Sequence, residues 1–266
     1  MAQNDTVFAG SIPQLYDTLM VPLIFAPYAA DMAARVAALA PRAVLETAAG
    51  SGVVTRALAP RLAAHARYVV TDLNLPMLEH AAARQGADPR IEWRPADALQ
   101  LPFEDASFDV VCCQFGAMFF PDRAAGYAQA RRVLRPGGHF VFSVWDRIEE
   151  NQFADDVTQA LATVFPDDPP RFLARTPHGY HDAARIVKTC AAAASRMRTS
   201  TFRRTPTPAG RPRPGMPQRP IARARRCAAR STHGMRRGCR WPSSARPTRS
   251  GAARARVPSP GRSRRT

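Results

Sequence analysis

The first 185 residues predict an α/β fold, a doubly wound and mostly parallel sheet with helices on both faces. Three observations carry this. Five short apolar runs of β character alternate with stretches of helical periodicity, which is the pattern of successive βαβ units. The first of these strands ends in a turn of small residues, "ETAAGSG" from Glu46 to Gly52, that leads directly into a helical pattern. All 21 acidic residues lie at or before Asp182, so only this part of the chain has the mixed surface of an ordinary domain.

The elements follow in order. "QLYDTLMVPLIFAPYAADMAARVAAL" is amphipathic and mostly helical, with breaks expected at Pro22 and Pro27. "RAVLETAAGSGVVTRALAPRL" gives the first strand, the turn and a helix. "ARYVVTDLN" is a second buried strand, followed by the helix "LPMLEHAAARQ". "IEWRPAD" is a third strand and "FDVVCCQFGAMFF" a fourth. The helix "AAGYAQARRVLRPGG" is expected to stop at Pro136, Gly137 and Gly138, before a fifth strand, "HFVFSVWD". "ADDVTQALATVF" adds one more helix, and "HDAARI" starts another that is expected not to finish. The division is thus a helical cap segment over 1–40, a ligand-binding core over 41–147, a helical extension over 148–185 and a tail over 186–266.

Composition narrows the function classes. Residues 1–185 carry 16 basic and 21 acidic side chains, whereas the last 81 carry 22 basic and none acidic. The pI near 11 therefore averages two unlike segments. No apolar run approaches the ~20 residues of a membrane span, and the N-terminus lacks a basic region ahead of an apolar core, so a soluble cytoplasmic protein is expected. Cys112 and Cys113 are adjacent in one strand and read as small core residues rather than a disulfide framework.

Ligands of doubly wound sheets bind at the carboxyl ends of the strands, beside the first βα turn. Small residues from Glu46 to Gly52 let backbone approach a ligand, with the N–H groups of a helix start behind them. Asp72 ends the second strand, placed to accept from both hydroxyls of a ribose, and Asp97 ends the third, near an adenine edge. A glycine turn alone is a weak signal, and an aspartate after a strand is often a helix cap. Three such features at three successive strand ends point to a nucleotide site. A dinucleotide fingerprint fits poorly, because Thr55 stands where a third small residue is needed. The motif opens instead with the acid Glu46, which suits a ligand with a positive end and no pyrophosphate.

Together "VLETAAGSG", "TDLN", "ADALQLPFEDASFDVVCCQFG" and "RRVLRPGGHFVFSVWD" resemble, in order, the motifs of class I S-adenosylmethionine-dependent methyltransferases. The resemblance runs from about Tyr16 to Ile186 and is closest to the branch containing the ubiquinone/menaquinone C-methyltransferases. It implies a Rossmann-like sheet of order 3-2-1-4-5 and S-adenosylmethionine as cofactor, with an unidentified small-molecule acceptor. It implies that Glu46, Thr47, Ala48, Gly50 and Gly52 surround the amino-acid end of the cofactor, with Ala48 standing where many relatives have glycine. Asp72 would hold the ribose, Leu73 and Met77 would pack by the adenine, and Asp97 and Ala98 would read its edge. Gln114 and Phe115 would close the cleft, and Tyr16 would cover the methionine moiety. No catalytic base and no metal site stands out. His178 and His181 read more readily as solvated or capping residues than as a base or metal pair, and Met118, Phe119 and Phe120 more readily as core than as acceptor pocket.

The tail has two readings. A run of 21 arginines and one lysine among many prolines is not expected to pack a core and would bind nucleic acid or an anionic membrane with little sequence preference, but Phe202 and Trp241 alone offer little for base stacking. The favoured reading is a lost frame. With one base restored near codon 187, the codons of Ile186–Cys190 permit I-R-E-D-L, an acidic-basic helix continuing "HDAAR". On that reading the C-terminal β-hairpin of the family is missing, the fifth strand is an uncovered edge prone to aggregation, order is lost after about Arg185, and activity is weak or absent. A genuine basic arm on a methyltransferase and an NAD-dependent oxidoreductase are the alternatives.

Overall fold

The computed structural model describes residues 11–195, 202–205 and 221–224. All of these lie in one unit, residues 1–229; a second, 230–266, lies outside the described residues. Strands β1 (Ala43–Glu46), β2 (Arg67–Asp72), β3 (Ile91–Pro95), β4 (Phe108–Gln114) and β5 (Leu134–Ser143) form a parallel sheet in the order β3-β2-β1-β4-β5. The chain starts at the centre and moves outward in one direction, then returns to β4. Between β1 and β4 lies the switch point at which such sheets bind ligands.

Each buried strand feeds both faces, because successive side chains point to opposite sides. Val44, Tyr68, Val70, Val110 and Cys112 pack on one face with Met32 and Val36 of helix α2 (Ala26–Ala37) and Val54 and Leu58 of helix α3 (Val53–Leu58). Leu45, Val69 and Val111 face the other side, against Ala130 and Val133 of helix α5 (Arg123–Val133). Helix α4 (Leu75–Gln85) joins β2 to β3. Cys112 and Cys113 are buried free thiols in different clusters.

The structure changes four expectations. The N-terminal segment is not broken at its prolines: a one-turn helix α1 (Ile12–Leu15), a π-helix (Tyr16–Phe25) and α2 run on continuously. Pro22 sits inside the π-helical stretch and Pro27 just after it, at the junction with α2, both within one continuous helix. The whole helix, Ile12–Ala37, is long and apolar enough by length and composition to cross a membrane, contrary to the sequence reading. Its second half nonetheless buries Tyr28, Ala29, Met32, Ala33 and Val36 in the core.

Second, α5 stops at Val133 and residues 134–138 already belong to β5, with a register shift against β4 between Phe108 and Val110. Pro136 disfavours helix in the residue before it, so the chain extends earlier than its helical pattern implies. Third, the helix begun at "HDAARI" does finish. Beyond helices α6 (Gln152–Val164) and α7 (Phe172–Arg175), helix α8 runs Ala183–Ser195. Ile186, Cys190 and Ala193, spaced to share one helix face, are buried in the cluster that contains Tyr127 of α5. The boundary expected at 185–186 therefore falls within a packed helix.

Fourth, strands β6 (Phe202–Thr205) and β7 (Ile221–Ala224) form an antiparallel pair, and β7 adds to β5 through Phe142↔Ala224 and Ser143↔Arg223. The hairpin expected to be missing is present in short form. Ladder hydrogen bonds are made by backbone groups whatever the side chains are, and the free edge of β5 is a template for them. The expected lack of order in residues 196–201, 206–220 and 225–266, and the lost-frame origin of the tail, fall outside the described residues.

Candidate functional site

A cavity of about 360 Å³ opens at the carboxyl ends of β1, β2 and β4. Of the residues singled out from the sequence, Tyr16, Glu46, Ala48, Gly50, Asp72, Leu73, Met77, Asp97, Ala98, Gln114 and Phe115 all line it. Thr47 and Gly52 do not. Thr47 donates its backbone N–H to the Cys112 carbonyl at 2.9 Å, joining the turn to β4. Gly52 begins α3 behind the cavity at φ +78°, and a Cβ there would stand 2.8 Å from the Cβ of Ala81. Its role is to let the turn lie against α4.

The turn after β1 is held from both sides. Ala49 N–H donates to Thr71 O at 3.0 Å, and Gly50 N–H donates to Asp72 Oδ2 at 2.8 Å. Asp72 Oδ1 accepts from the Asn74 N–H at 2.7 Å. Burial raises the Asp72 pKa, and the N–H donors of Asn74 and Gly50 only partly offset it. Each oxygen keeps accepting capacity toward the cavity, as a pair of ribose hydroxyls requires. Ala48 adopts φ +51°, a conformation that costs a residue with a Cβ about 1–2 kcal/mol. Room for its methyl comes from Gly116, where a Cβ would lie 2.5 Å from that of Ala48. The missing glycine at 48 is thus balanced by one on the neighbouring loop.

Glu46 lines the cavity and is also held from behind. It is 2 % exposed, and its Oε2 accepts from Thr55 Oγ1 at 2.8 Å and from the Tyr68 hydroxyl. Burial pushes its pKa up to about 7, against the lowering effect of those two hydroxyls. Thr55, the residue that spoils a dinucleotide fingerprint, is therefore Glu46's hydrogen-bond partner. Asp97 Oδ1 accepts from Leu99 N–H at 2.8 Å and shapes the loop after β3. Met77 is buried and Leu73 largely exposed, so this side of the cavity is firm within and open outward.

The other wall is aromatic. The Phe115 and Trp145 rings stack at 3.9 Å with 1° between planes, and Phe25 packs near both. Tyr16 stacks on Phe25 at 5.3 Å, and burial pushes its phenol up to about 12. Met118, Phe119 and Phe120 all line the cavity, and Met118 and Phe120 are core residues as well, as expected of an apolar run after a strand. Gln114 Oε1 is buried with no hydrogen-bond partner among the described residues, an acceptor at the end of β4 beside the cavity. That orphaned atom and the small-residue cradle at Gly50 fit a ligand with a nucleoside at one end and a polar group at the other.

Sequence reasoning missed Trp145, Phe25, Val21 and Asn74, all lining residues. "SVWD" at the end of the fifth strand was a usable signal for Trp145. Nothing local in the sequence brings Phe25, on the N-terminal helix, across to β4 and β5. His178 and His181 form no joint site: His178 Nδ1 pairs with Asp146 O at 2.8 Å, and His181 Nδ1 with His178 O at 2.7 Å. His178 is buried, which lowers its pKa.

Comparison with known proteins agrees with this geometry. Residues 45–142 match the family described as a methyltransferase domain. The chain is 41 % identical over 106 residues to a demethylmenaquinone methyltransferase of Clavibacter sepedonicus, covering 40 % of this chain and 42 % of that protein. It is 42 % identical over 110 residues to the Deinococcus radiodurans protein of the same name, covering 41 % and 45 %. The chain thus spans less than half the length of these curated relatives. An S-adenosylmethionine-dependent methyltransferase structure from Thermotoga maritima aligns with a TM-score of 0.52 at 14 % identity, covering 80 % of this chain and 96 % of that one, a likeness of fold. The hydride-transfer alternative finds no support among these matches.

Proposed function

We propose that this chain, whose residues 45–142 match the methyltransferase-domain family, transfers a methyl group from S-adenosylmethionine to a small-molecule acceptor. The carrying observation is the cavity itself. The Asp72 carboxylate, the Gly50 turn and Met77 lie at one end, and the Phe115–Trp145 stack and Gln114 at the other. The cofactor's sulfonium activates the methyl group, so the protein is left to bind, align and exclude water. Asp72 takes the ribose hydroxyls, the turn from Glu46 to Gly50 receives the amino-acid end, and Asp97 with Ala98 lies by the adenine. Tyr16, Val21 and Phe25 cover the cavity and keep water from the reacting centre.

The acceptor is a planar, largely apolar molecule in this reading. The aromatic wall favours ring stacking, and the curated relatives are named demethylmenaquinone methyltransferases. A soluble, cytoplasmic enzyme remains the expectation. Isothermal titration of the full chain with S-adenosylhomocysteine and with NAD⁺ tests the proposal. Micromolar binding of the first and none of the second is expected; the reverse result would refute it.

A further inference from the structure

Asp17 lies in the π-helical stretch that covers the cavity, one residue after Tyr16. Its side chain is 5 % exposed, yet three basic side chains from two other helices converge on it. Arg56 of α3 donates Nη2 to Oδ1, and Arg84 of α4 donates Nε to Oδ2 at 2.8 Å. His80 of α4 places Nε2 3.4 Å from Oδ2. Burial raises the Asp17 pKa, but Arg56, Arg84 and His80 outweigh it and hold the carboxyl below the usual range. Arg56 also braces the turn after β1, where its Nη1 donates to Ser51 O at 2.6 Å.

These contacts join parts that are far apart in sequence. Helices α3 and α4 follow the two strands whose ends carry Glu46 and Asp72. One carboxylate therefore ties the covering segment to both helices behind the cofactor cavity, and through Arg56 to the turn itself. Two further features show that this segment needs a fastening. Leu15, Leu19 and Leu23 are each more than half exposed, so much of its apolar surface contributes nothing to holding it down. Its inward residues, Tyr16, Val21 and Phe25, border the cavity as well as the aromatic core cluster around Phe115 and Trp145, so the packing beneath the segment is interrupted by the cavity.

We propose that Asp17 is a positioning residue, a latch that holds the N-terminal helical segment closed over the cofactor cavity and sets how long the cofactor stays. This deepens the proposed methyl-transfer reading and rests on it for the ligand's identity. A buried charge with its partners in place is held firmly, whereas removing one side leaves the others uncompensated. Asp17→Asn removes the charge and keeps the shape. Arg84→Met removes one strap from a side chain that is 61 % exposed and outside the cavity lining.

The test uses two readouts on the full chain, below the melting temperature of every variant. Stopped-flow dissociation of S-adenosylhomocysteine, followed by Trp145 fluorescence beside the cavity, should be at least tenfold faster in Asp17→Asn and several-fold faster in Arg84→Met. Chymotrypsin cleavage at Tyr16, Leu19, Leu23 and Phe25 without ligand, mapped by mass spectrometry, should rise in the same order. A purely structural ion pair would lower the unfolding midpoint and leave both rates at wild-type values, which would overturn the latch. If Asp17→Asn does not fold, Arg84→Met decides by the same criteria. Wild-type chain that fails to bind S-adenosylhomocysteine refutes the proposed function instead, and the ligand-free cleavage still decides the latch.

Discussion

Replacing Glu46 by glutamine should change how stability depends on pH, and by an amount the structure sets. The carboxyl is buried, receives hydrogen bonds from Tyr68 and Thr55, and has its pKa raised from 4.5 to about 7. In the unfolded chain it ionises near the ordinary value. Between those limits the folded chain keeps a proton that the unfolded chain has released, so raising the pH favours unfolding. The stabilisation is complete below about pH 4.5 and is lost as the pH rises through 7. A shift of that size at about 1.4 kcal/mol per unit amounts to roughly 3 kcal/mol. Glu46→Gln keeps an oxygen for both hydroxyls and cannot ionise. It introduces a buried amide N–H₂, whose cost of about 1–3 kcal/mol is the same at every pH. Urea unfolding of both proteins from pH 5 to 8 isolates the effect, since every other titrating group cancels in the difference. The variant should gain on the wild type by roughly 2–3 kcal/mol across that range. A difference constant to within about half a kcal/mol would refute the raised pKa, and with it the account of Glu46 as a carboxyl held by Tyr68 and Thr55.

Other expectations follow from single contacts. Asp72→Asn removes the charge that accepts from Gly50 and Asn74 and should weaken S-adenosylhomocysteine binding at least tenfold by calorimetry; it also sets an amide N–H₂ against one of those two backbone donors, so urea unfolding should show a loss of about 1–3 kcal/mol. Gly52→Ala forces a Cβ into the left-handed region and against Ala81, and should cost more than the ~1–2 kcal/mol of the conformation alone in urea unfolding. Ile186→Ala empties a site that is 1 % exposed, and a loss of about 2–5 kcal/mol is expected; a loss under half a kcal/mol would show that α8 does not pack as described. Sequencing the source gene across codons 183–192 should reveal one additional base, and an unchanged reading would leave the arginine-rich tail as genuine protein.

What the sequence determined by itself was the part of the fold written in local patterns. Each strand of the parallel sheet is a short apolar run, and each site residue on a strand end, from Glu46 to Asp72 and Gln114, follows directly from where its run stops. Strand polarity and βαβ handedness then bring those ends to one edge, so the place of the cavity is written in the sequence. The tertiary structure decided everything that depends on a partner distant in the chain. Glu46 looks like a ligand for a positive group in sequence, and what the sequence does not show is that Tyr68 on the next strand and Thr55 on the next helix both donate to its Oε2. Ala48 is acceptable only because Gly116, 68 residues on, leaves its methyl room. Asp17 is an ordinary helix residue until α3 and α4 deliver Arg56, His80 and Arg84 to it. The same holds for Ile186, Cys190 and Ala193, whose spacing permits a packed helix face but whose burial is supplied by α5. Backbone periodicity is a property of neighbours, whereas pKa, close approach and burial are set by whatever the fold places within a few ångströms.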